Sequence, residues 1–263
     1  MSKTNLLKAW AEWKLGSAPF VLDDDQNVFS SPRSQKSIIT NCSWQEAIEA
    51  PNFGAPGDTR LHLGLLPIPF IGDIQRATIY ILLLNPGIGP HDYYGEYEVP
   101  KYRAALQSNL KQQFVRGSTP FIFLDPQFAW HGGFTWWHGK LSKVIEKLST
   151  AWKVPFATAR SRLAANMAAI ELLPYHSVSF KDGDRWLKNL PSVKLARNFI
   201  DDFVLKRVQS GKAIVIVTRK VAEWNLPKQK GIVTYTPAQT RSAHLTPGTP
   251  GGNAILTHFG VQT

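Results

Sequence analysis

The stretch Ile79-Tyr80-Ile81-Leu82-Leu83-Leu84-Asn85-Pro86-Gly87 determines the fold prediction. Its unbroken apolar run is typical of a strand that is buried on both faces in the centre of a parallel sheet. The run stops at an amide side chain that is followed by a Pro-Gly turn. Because ligands bind at the carboxyl ends of the strands in open α/β sheets, Asn85 is the first candidate for a chemical role.

Further apolar runs predict three more strands, with helical patterns between them. These runs cover residues 168–173, 213–217 and 231–235, and the first strand covers 78–84. Strands that alternate with helices indicate a mostly parallel sheet with right-handed crossovers. We therefore predict an α/β fold in which three α/β/α layers surround a central, mostly parallel four-stranded sheet.

The remaining amino-terminal sequence differs in character from this α/β pattern. Residues 17–75 are rich in Pro, Gly, Ser and Asn, and Asp23-Asp24-Asp25 has the composition of a solvated turn. A short helix is expected near residues 43–50, where Ser43 would cap the first turn. We expect residues 1–74 to form an extension that packs on a domain spanning residues 75–263.

Composition excludes several classes of protein. Cys42 is the only cysteine, so a disulfide framework and a cysteine-based zinc site are excluded. No apolar run reaches membrane-spanning length, and the sequence has no phosphate-binding, dinucleotide-binding or nucleophile-elbow motif. His131 and His138 have no carboxylates at ligand spacing, so no metal is expected. We predict a cytoplasmic monomer without a nucleotide cofactor or any other cofactor.

The charge distribution suggests a polyanionic partner. The net charge is +11, and residues 140–230 alone contain 18 Lys or Arg against 7 Asp or Glu. A basic surface that is concentrated in one region favours nucleic acid, and the nine Trp and seven Tyr residues offer rings that can stack on bases. DNA is therefore the expected partner.

Three motifs resemble those of a known family. Leu84-Asn85-Pro86-Gly87, followed by Tyr94-Gly95-Glu96, resembles the first active-site motif of the uracil-DNA glycosylase superfamily, nearest the single-strand-selective uracil glycosylases and the mismatch-specific thymine/uracil glycosylases. Glu171-Leu172-Leu173-Pro174-Tyr175 is similar to a family stretch in which an Asn reads the pyrimidine edge. Residues 236–247 resemble the second active-site loop, although the usual His-Pro-Ser is absent. The resemblance covers about residues 75–250.

This resemblance implies a monofunctional DNA glycosylase that flips a base out of the stack and hydrolyses its N-glycosidic bond. Asn85 would orient the attacking water, and Asp92 and Asp125 are alternative carboxylates that could activate it. Asp125 also fits a simple helix-cap or turn residue. The expected base-binding residues are Gly87, Tyr94, Phe134, Glu171 and His244, and the expected DNA-binding residues are Arg241, Lys140, Arg219 and Lys220.

Glu171 stands where the resembling family has Asn, and this difference bears on the substrate. An ionised glutamate would repel uracil O4 and accept from an exocyclic amine such as cytosine N4. Excising ordinary cytosine would destroy the host genome, so a hydroxymethylated or glucosylated cytosine of phage DNA is the expected target, and antiviral defence the setting. Two alternatives are a uracil or thymine mismatch repair glycosylase and a non-catalytic protein that binds modified DNA. The alternative for Glu171 is that it lies one turn away from the base and makes a structural salt bridge.

Overall fold

The computed structural model describes residues 5–115, 117–180, 186, 188–240 and 243–262. The strands of these residues are β1 (Ile38–Ile39), β2 (Leu61–His62), β3 (Phe70–Ile71), β4 (Ile79–Leu83), β5 (Met167–Glu171), β6 (Ile214–Val217) and β7 (Ile232–Thr234). The helices are α1 (Asn5–Glu12), α2 (Gln26–Phe29), α3 (Pro32–Gln35), α4 (Trp44–Glu49), α5 (Pro90–Glu98), α6 (Pro100–Leu110), α7 (Gly132–Trp152), α8 (Phe156–Asn166), α9 (Pro191–Phe199), α10 (Leu205–Gln209), α11 (Val221–Trp224), α12 (Pro237–Thr240) and α13 (Pro250–His258). Short 3-10 turns cover Asp23–Asp25, Ile122–Leu124 and Pro126–Phe128.

The chain divides into two compact units, each built from three segments. Unit 1 comprises Met1–Pro69, Asn85–Gln113 and Glu171–Ile200, and unit 2 comprises Phe70–Leu84, Phe114–Ile170 and Asp201–Thr263. The expected division into an extension at residues 1–74 and a domain at residues 75–263 stays a prediction, because these units describe local packing and not independent folding.

Unit 2 contains a five-stranded sheet with the strand order β3-β5-β4-β6-β7. Strand β6 is parallel to both β4 and β7, whereas β3 is antiparallel to β5. The α/β class is therefore confirmed, but the sheet is mixed and has five strands, where four mostly parallel strands were expected. Strand β3 escaped prediction because Phe70–Ile71 is too short to show a periodic pattern.

Strand β4 is the centre of this sheet, as its sequence predicts. All five residues of Ile79–Leu83 are buried, and each fully buried aliphatic side chain contributes roughly 1.5–3 kcal/mol. The carbonyl groups at its end are also satisfied. Thr218 Oγ1 donates to Leu82 O at 3.1 Å, and Trp224 Nε1 donates to Leu83 O at 3.0 Å. The side chains of Thr218 and Trp224 thus satisfy the last two carbonyl groups of the strand.

Helix α7 begins earlier in the sequence than expected. The apolar stripe of Leu141, Val144, Ile145 and Leu148 is buried, as its spacing predicts. The sequence of residues 129–138, with its adjacent glycines and aromatic residues, predicts a loop, but residues 132–138 belong to the helix. His131 caps its first turn, since His131 Nδ1 accepts a hydrogen bond from Gly133 N at 2.9 Å. Such capping by a histidine ring lies outside the usual Ser, Thr, Asp and Asn signals.

Unit 1 is mainly helical and contains the small parallel pair of β1 and β2. Helix α1 buries Leu6, Leu7 and Trp10. The cap predicted for α4 is confirmed, because Ser43 Oγ accepts from Glu46 N at 3.0 Å. The Glu46 carboxylate in turn accepts from Cys42 N at 2.8 Å. Among the described residues, every helix is too short or too polar to cross a lipid bilayer.

Gly64 provides a test of this packing, because a Cβ there would lie 1.7 Å from the backbone oxygen of Asn41. We expect Gly64→Ala to lower the free energy of unfolding by about 1–3 kcal/mol or more, as overpacking does. Gly139 is the matched control, since a Cβ there meets nothing within 4 Å. Gly139→Ala should raise stability by up to about 1 kcal/mol, because it lies inside a helix. Urea unfolding measures the free energy of unfolding of both variants. A Gly64→Ala variant as stable as wild type would contradict the close packing of Gly64 against the Asn41 backbone.

Candidate functional site

The side chain of Asn85 is held in one orientation by three hydrogen bonds. Its Nδ2 donates to Pro86 O at 3.1 Å, to Tyr175 O at 3.2 Å and to Ser177 Oγ at 2.9 Å. Two of these acceptors are carbonyl oxygens, which can only accept, so the amide nitrogen and not the amide oxygen must face them. Asn85 Oδ1 accepts no hydrogen bond from the described part of the chain. This half-buried oxygen is therefore positioned to accept a hydrogen from a water molecule or a ligand.

The Asn-Pro-Gly turn is hydrogen-bonded along its length to the segment Tyr175-His176-Ser177. Ser177 N donates to Pro86 O at 3.2 Å, and the His176 ring lies 2.8 Å from Gly87 O through Nδ1. Together with the Asn85 contacts, these bonds join two segments that are about ninety residues apart in sequence. The turn is thus fixed by partners on both its backbone and its side chain.

Tyr175 is itself held by a buried carboxylate. Its hydroxyl donates to Asp25 Oδ2 at 2.6 Å and accepts from Leu22 N at 3.2 Å, while Ser192 N donates to Asp25 Oδ1 at 2.9 Å. Asp25 is completely buried, and burial raises the pKa of its carboxyl group while the hydrogen bonds oppose that shift. The carbonyl that orients Asn85 therefore belongs to a residue that is anchored at its other end.

The residues of the Tyr-Gly-Glu motif lie on helix α5, where they have different environments. Asp92 is buried near the start of the helix, and its Oδ2 accepts from Gly89 N at 2.6 Å and lies 3.2 Å from His91 Nε2. Tyr94 is 44% exposed and packs edge-to-face against Trp44. Glu96 is buried, accepts from Leu66 N at 2.8 Å, and has its pKa raised by burial. Asp92 thus caps the helix, Glu96 links it to the loop at Leu66, and Tyr94 offers an exposed ring.

Glu171 is the last residue of β5, so it stands at a strand end as the sequence predicts. It is buried, and its backbone N donates to Pro69 O at 3.0 Å. Gly87 is exposed two residues after Asn85. Five of the predicted site residues belong to unit 1, namely Asn85, Gly87, Asp92, Tyr94 and Glu171.

Three other predicted site residues belong to unit 2 and have structural contacts there. Asp125 is buried and caps a 3-10 turn by accepting from Gln127 N at 3.0 Å, which is the geometry of the helix-cap alternative. Phe134 is buried in α7 with its ring stacked on His138. The side chain of His244 is exposed, and its backbone oxygen accepts from the Tyr235 hydroxyl.

One of the predicted DNA-binding residues of unit 2, Lys140, lies beside an exposed tryptophan. Lys140 is buried, and its Nζ lies 4.5 Å from the centre of the Trp136 ring. Burial, together with the positive charge of Arg219, lowers the pKa of Lys140. Lys220 is exposed, as are Trp136 and Trp130, at 39% and 43%. Arg241 lies outside the described residues.

Comparison with protein-family models, with curated proteins and with solved structures finds no match. The site must therefore be interpreted from its own geometry. Sequence reasoning missed Ser177 and Asp25. Ser177 could have been found from its place just beyond a buried strand, whereas a run of three aspartates gives no sign that the last one is buried.

Tyr175→Phe tests the anchor of the site, because it removes the donor to Asp25 and the acceptor for Leu22 N. We expect the free energy of unfolding to fall by about 1–3 kcal/mol, the usual cost of leaving a buried polar group without its partner. Tyr97→Phe is the matched control, since within the described part of the chain the Tyr97 hydroxyl makes one hydrogen bond, to the carbonyl of Gly64. Urea unfolding of both variants should show the larger loss of stability for Tyr175→Phe. Equal losses would show that the hydrogen bond to the Asp25 carboxylate adds nothing to the free energy of unfolding.

Glu96 predicts a pH dependence of stability. Burial raises its folded pKa well above the ordinary value of about 4.5. Its contribution to stability is therefore greatest below pH 4.5 and falls as the pH rises toward the folded pKa, because the folded state holds a proton that the unfolded state releases. Glu96→Gln stays neutral, so wild type should lose stability relative to this variant as the pH rises above 4.5. Denaturant unfolding at several pH values measures the free energy of unfolding of wild type and of Glu96→Gln. If the two free energies changed with pH in the same way, the predicted contribution of Glu96 would be refuted.

Proposed function

We propose that this protein is a monofunctional DNA glycosylase that excises a modified pyrimidine and leaves an abasic site. The observation that carries the proposal is the fixed amide of Asn85, whose Nδ2 is held by Tyr175 O, Pro86 O and Ser177 Oγ and whose Oδ1 is left to accept. The resemblance of its motifs to the uracil-DNA glycosylase superfamily supports the same reaction. The three-layer α/β/α arrangement around a mostly parallel core that the sequence predicts would also fit this reaction.

The reaction suits a neutral, positioned side chain. Breaking an N-glycosidic bond develops positive charge on the sugar, so the attacking water needs placement more than it needs a strong base. A water that donates a hydrogen to Asn85 Oδ1 would keep its lone pairs for the sugar carbon. Fixing a nucleophile in this way can lower the barrier by several kcal/mol, because the entropy of orientation is lost before the reaction begins. Tyr94, exposed on α5, offers a ring on which the flipped base can stack.

The charge of the chain supports binding to DNA. A net charge of +11 favours a polyanion, and phosphate contacts supply most of the sequence-independent affinity. Trp136, beside Lys140, and Trp130 are both exposed and could stack on unpaired bases. A bacterial protein of this kind would act on DNA in the cytoplasm as a monomer without a cofactor.

The proposed substrate is a modified cytosine, such as the hydroxymethylated or glucosylated cytosine of phage DNA, which would place the protein in antiviral defence. This choice rests on Glu171 at the end of β5, where the resembling family carries Asn. The carboxylate accepts hydrogen bonds, which suits the exocyclic amine of cytosine and not the O4 of uracil.

One observation favours a second candidate, a protein that binds modified DNA without cutting the base. Asp92 and Asp125, the alternative carboxylates for activating water, both accept hydrogen bonds from backbone N–H groups at helix starts. These contacts account for both carboxylates as structural caps, without a role in activating water. The two candidates differ in whether a base is released.

Asn85→Ala tests the reaction directly. We expect base release to fall by about 100-fold or more, the effect of losing a positioned nucleophile, while affinity for the same DNA stays nearly constant. Ser177→Ala is the matched control: it removes one acceptor of the amide and should slow release by about fivefold to tenfold. Release is measured as alkali-labile breaks in DNA that carries uracil, a thymine mismatch, hydroxymethylcytosine or its glucosylated form. No release from any substrate by the wild type would favour the binding protein.

Glu171→Asn tests the choice of base. The amide donates as well as accepts, so action on cytosine-type bases should weaken by about tenfold, and action on uracil should appear or increase. The same release assay measures both activities, and thermal melting checks that the variant folds. If the ratio of the two activities is the same in the variant as in wild type, Glu171 does not read the base.

A further inference from the structure

The ring of His176 lies between two backbone carbonyl groups of unit 1. Its Nδ1 is 2.8 Å from Gly87 O, and its Nε2 is 3.2 Å from Leu66 O. The residue is buried, with 1% of its surface exposed. Carbonyl oxygens can only accept hydrogen bonds, so each ring nitrogen faces a group that requires a hydrogen.

A neutral imidazole cannot satisfy both carbonyls, because it has only one N–H group. Its other nitrogen would direct a lone pair at an oxygen. Leu66 is completely buried, and buried carbonyl groups are normally hydrogen-bonded. At Gly87, 2.8 Å is an ordinary hydrogen-bond distance but an unfavourably close contact between two lone pairs. The imidazolium, which has a hydrogen on each nitrogen, satisfies both carbonyls at once.

The nearest titratable partner of this ring is His62 at the end of β2. The two residues form an antiparallel bridge, in which His62 N donates to His176 O at 2.9 Å. Burial, and then the positive charge of His176, lower the pKa of His62 to about 4. The hydroxyl of Tyr93 lies 3.1 Å from His62 Nδ1, and burial raises its pKa. Both neighbours are therefore uncharged at neutral pH and add no second positive charge.

The charged groups of the same region come from α5 and from the residues before β2. Asp58 and Asp92 both raise the pKa of His62, so they supply negative charge here. Arg60 acts against them and is paired with Asp58 at 2.6 Å. Burial raises the pKa of Glu96, which makes it a weaker source of negative charge. Two carboxylates thus favour a proton in this region, and one guanidinium opposes it.

The His176 ring contacts the turn that holds Asn85. Pro86 O accepts from the Asn85 amide, and the next carbonyl along the chain, Gly87 O, faces His176 Nδ1. A charged donor forms a stronger hydrogen bond than a neutral one. Loss of one proton would leave one of the two carbonyls without a donor, so the link between the turn and the loop at Leu66 would weaken.

We propose that His176 is a doubly protonated positioning residue that links the turn of Asn85 to the loop at Leu66, and that losing one proton loosens this turn. The folded state then holds the proton more tightly than the unfolded chain does. The resulting stability is fully present below about pH 6.5, the ordinary pKa of histidine, and is lost as the pH rises through the higher folded value. The effect on base release rests on the proposed function, whereas the charge and the stability do not.

Nitrogen NMR of the wild-type chain at about pH 7 tests the charge without any substitution. The ring nitrogens of His176 are identified by through-bond correlation to its own backbone signals. Both nitrogens should give the signals of protonated nitrogens. A single protonated nitrogen in the His176 ring would overturn the inference.

His176→Gln keeps an amide donor and removes the titrating ring. Urea unfolding should show that wild type loses stability relative to this variant as the pH rises from about 6.5 to about 9. His258→Gln is the matched control, because His258 Nε2 lies 2.9 Å from the Thr78 hydroxyl, which can donate or accept, and burial lowers the pKa of His258. Its contribution should be lost in the opposite direction, as the pH falls below about 6.5. The same pH dependence for both substitutions would contradict a proton held by His176.

Single-turnover base release gives a readout that a purely structural role would not change. The rate of wild type should fall by about tenfold over the same rise in pH, while His176→Gln should be about tenfold slower at about pH 6.5 and change little above it. Affinity for the DNA should stay constant. Release with the same pH profile in both proteins would overturn the positioning role. If the NMR and stability results hold but no base is released from any substrate, the proposed hydrolysis fails and the charged link at His176 stands.

Discussion

The geometry of the candidate site depends on the hydrogen bonds that Asn85 makes with two backbone carbonyls. Tyr175 O and Pro86 O can only accept, so together they require an N–H group at this position. The Tyr175 carbonyl is fixed in turn because the Tyr175 hydroxyl is bound to the buried Asp25. The orientation of one amide is thus determined by a carboxylate sixty residues earlier in the chain.

This network also explains why a buried aspartate is tolerated in unit 1. Burial alone would disfavour the charged form of Asp25 and would cost several kcal/mol. The hydroxyl of Tyr175 and the backbone N–H of Ser192 each donate to one of its oxygens, which offsets much of that cost. Asp25 therefore connects the first turns of α9 with the segment that holds the Asn-Pro-Gly turn, and all of these residues must fold together.

The sequence predicts those features that depend on local pattern and misses those that depend on tertiary contacts. Strand β4 follows from its apolar run, and the Ser43 cap follows from residue type and spacing. Strand β3 is too short for any period, and the burial of Asp25 is decided by Tyr175, which is 150 residues away. For the site, the position of Asn85 at a strand end could be predicted, but two of the three acceptors that orient its amide, Tyr175 O and Ser177 Oγ, come from a separate part of the chain.

The same acceptors account for an amide, and not a carboxylate, at position 85. An aspartate there would bring a negative oxygen against the carbonyls of Tyr175 and Pro86, with no hydrogen to share between them. His62, also in unit 1, is a weak base, because burial lowers its pKa to about 4. Under the proposed function, the rate enhancement would come from placing a neutral water beside a sugar that becomes positively charged as its base departs. That transition state needs little proton removal, so a rigid amide suits this chemistry better than a strong base would.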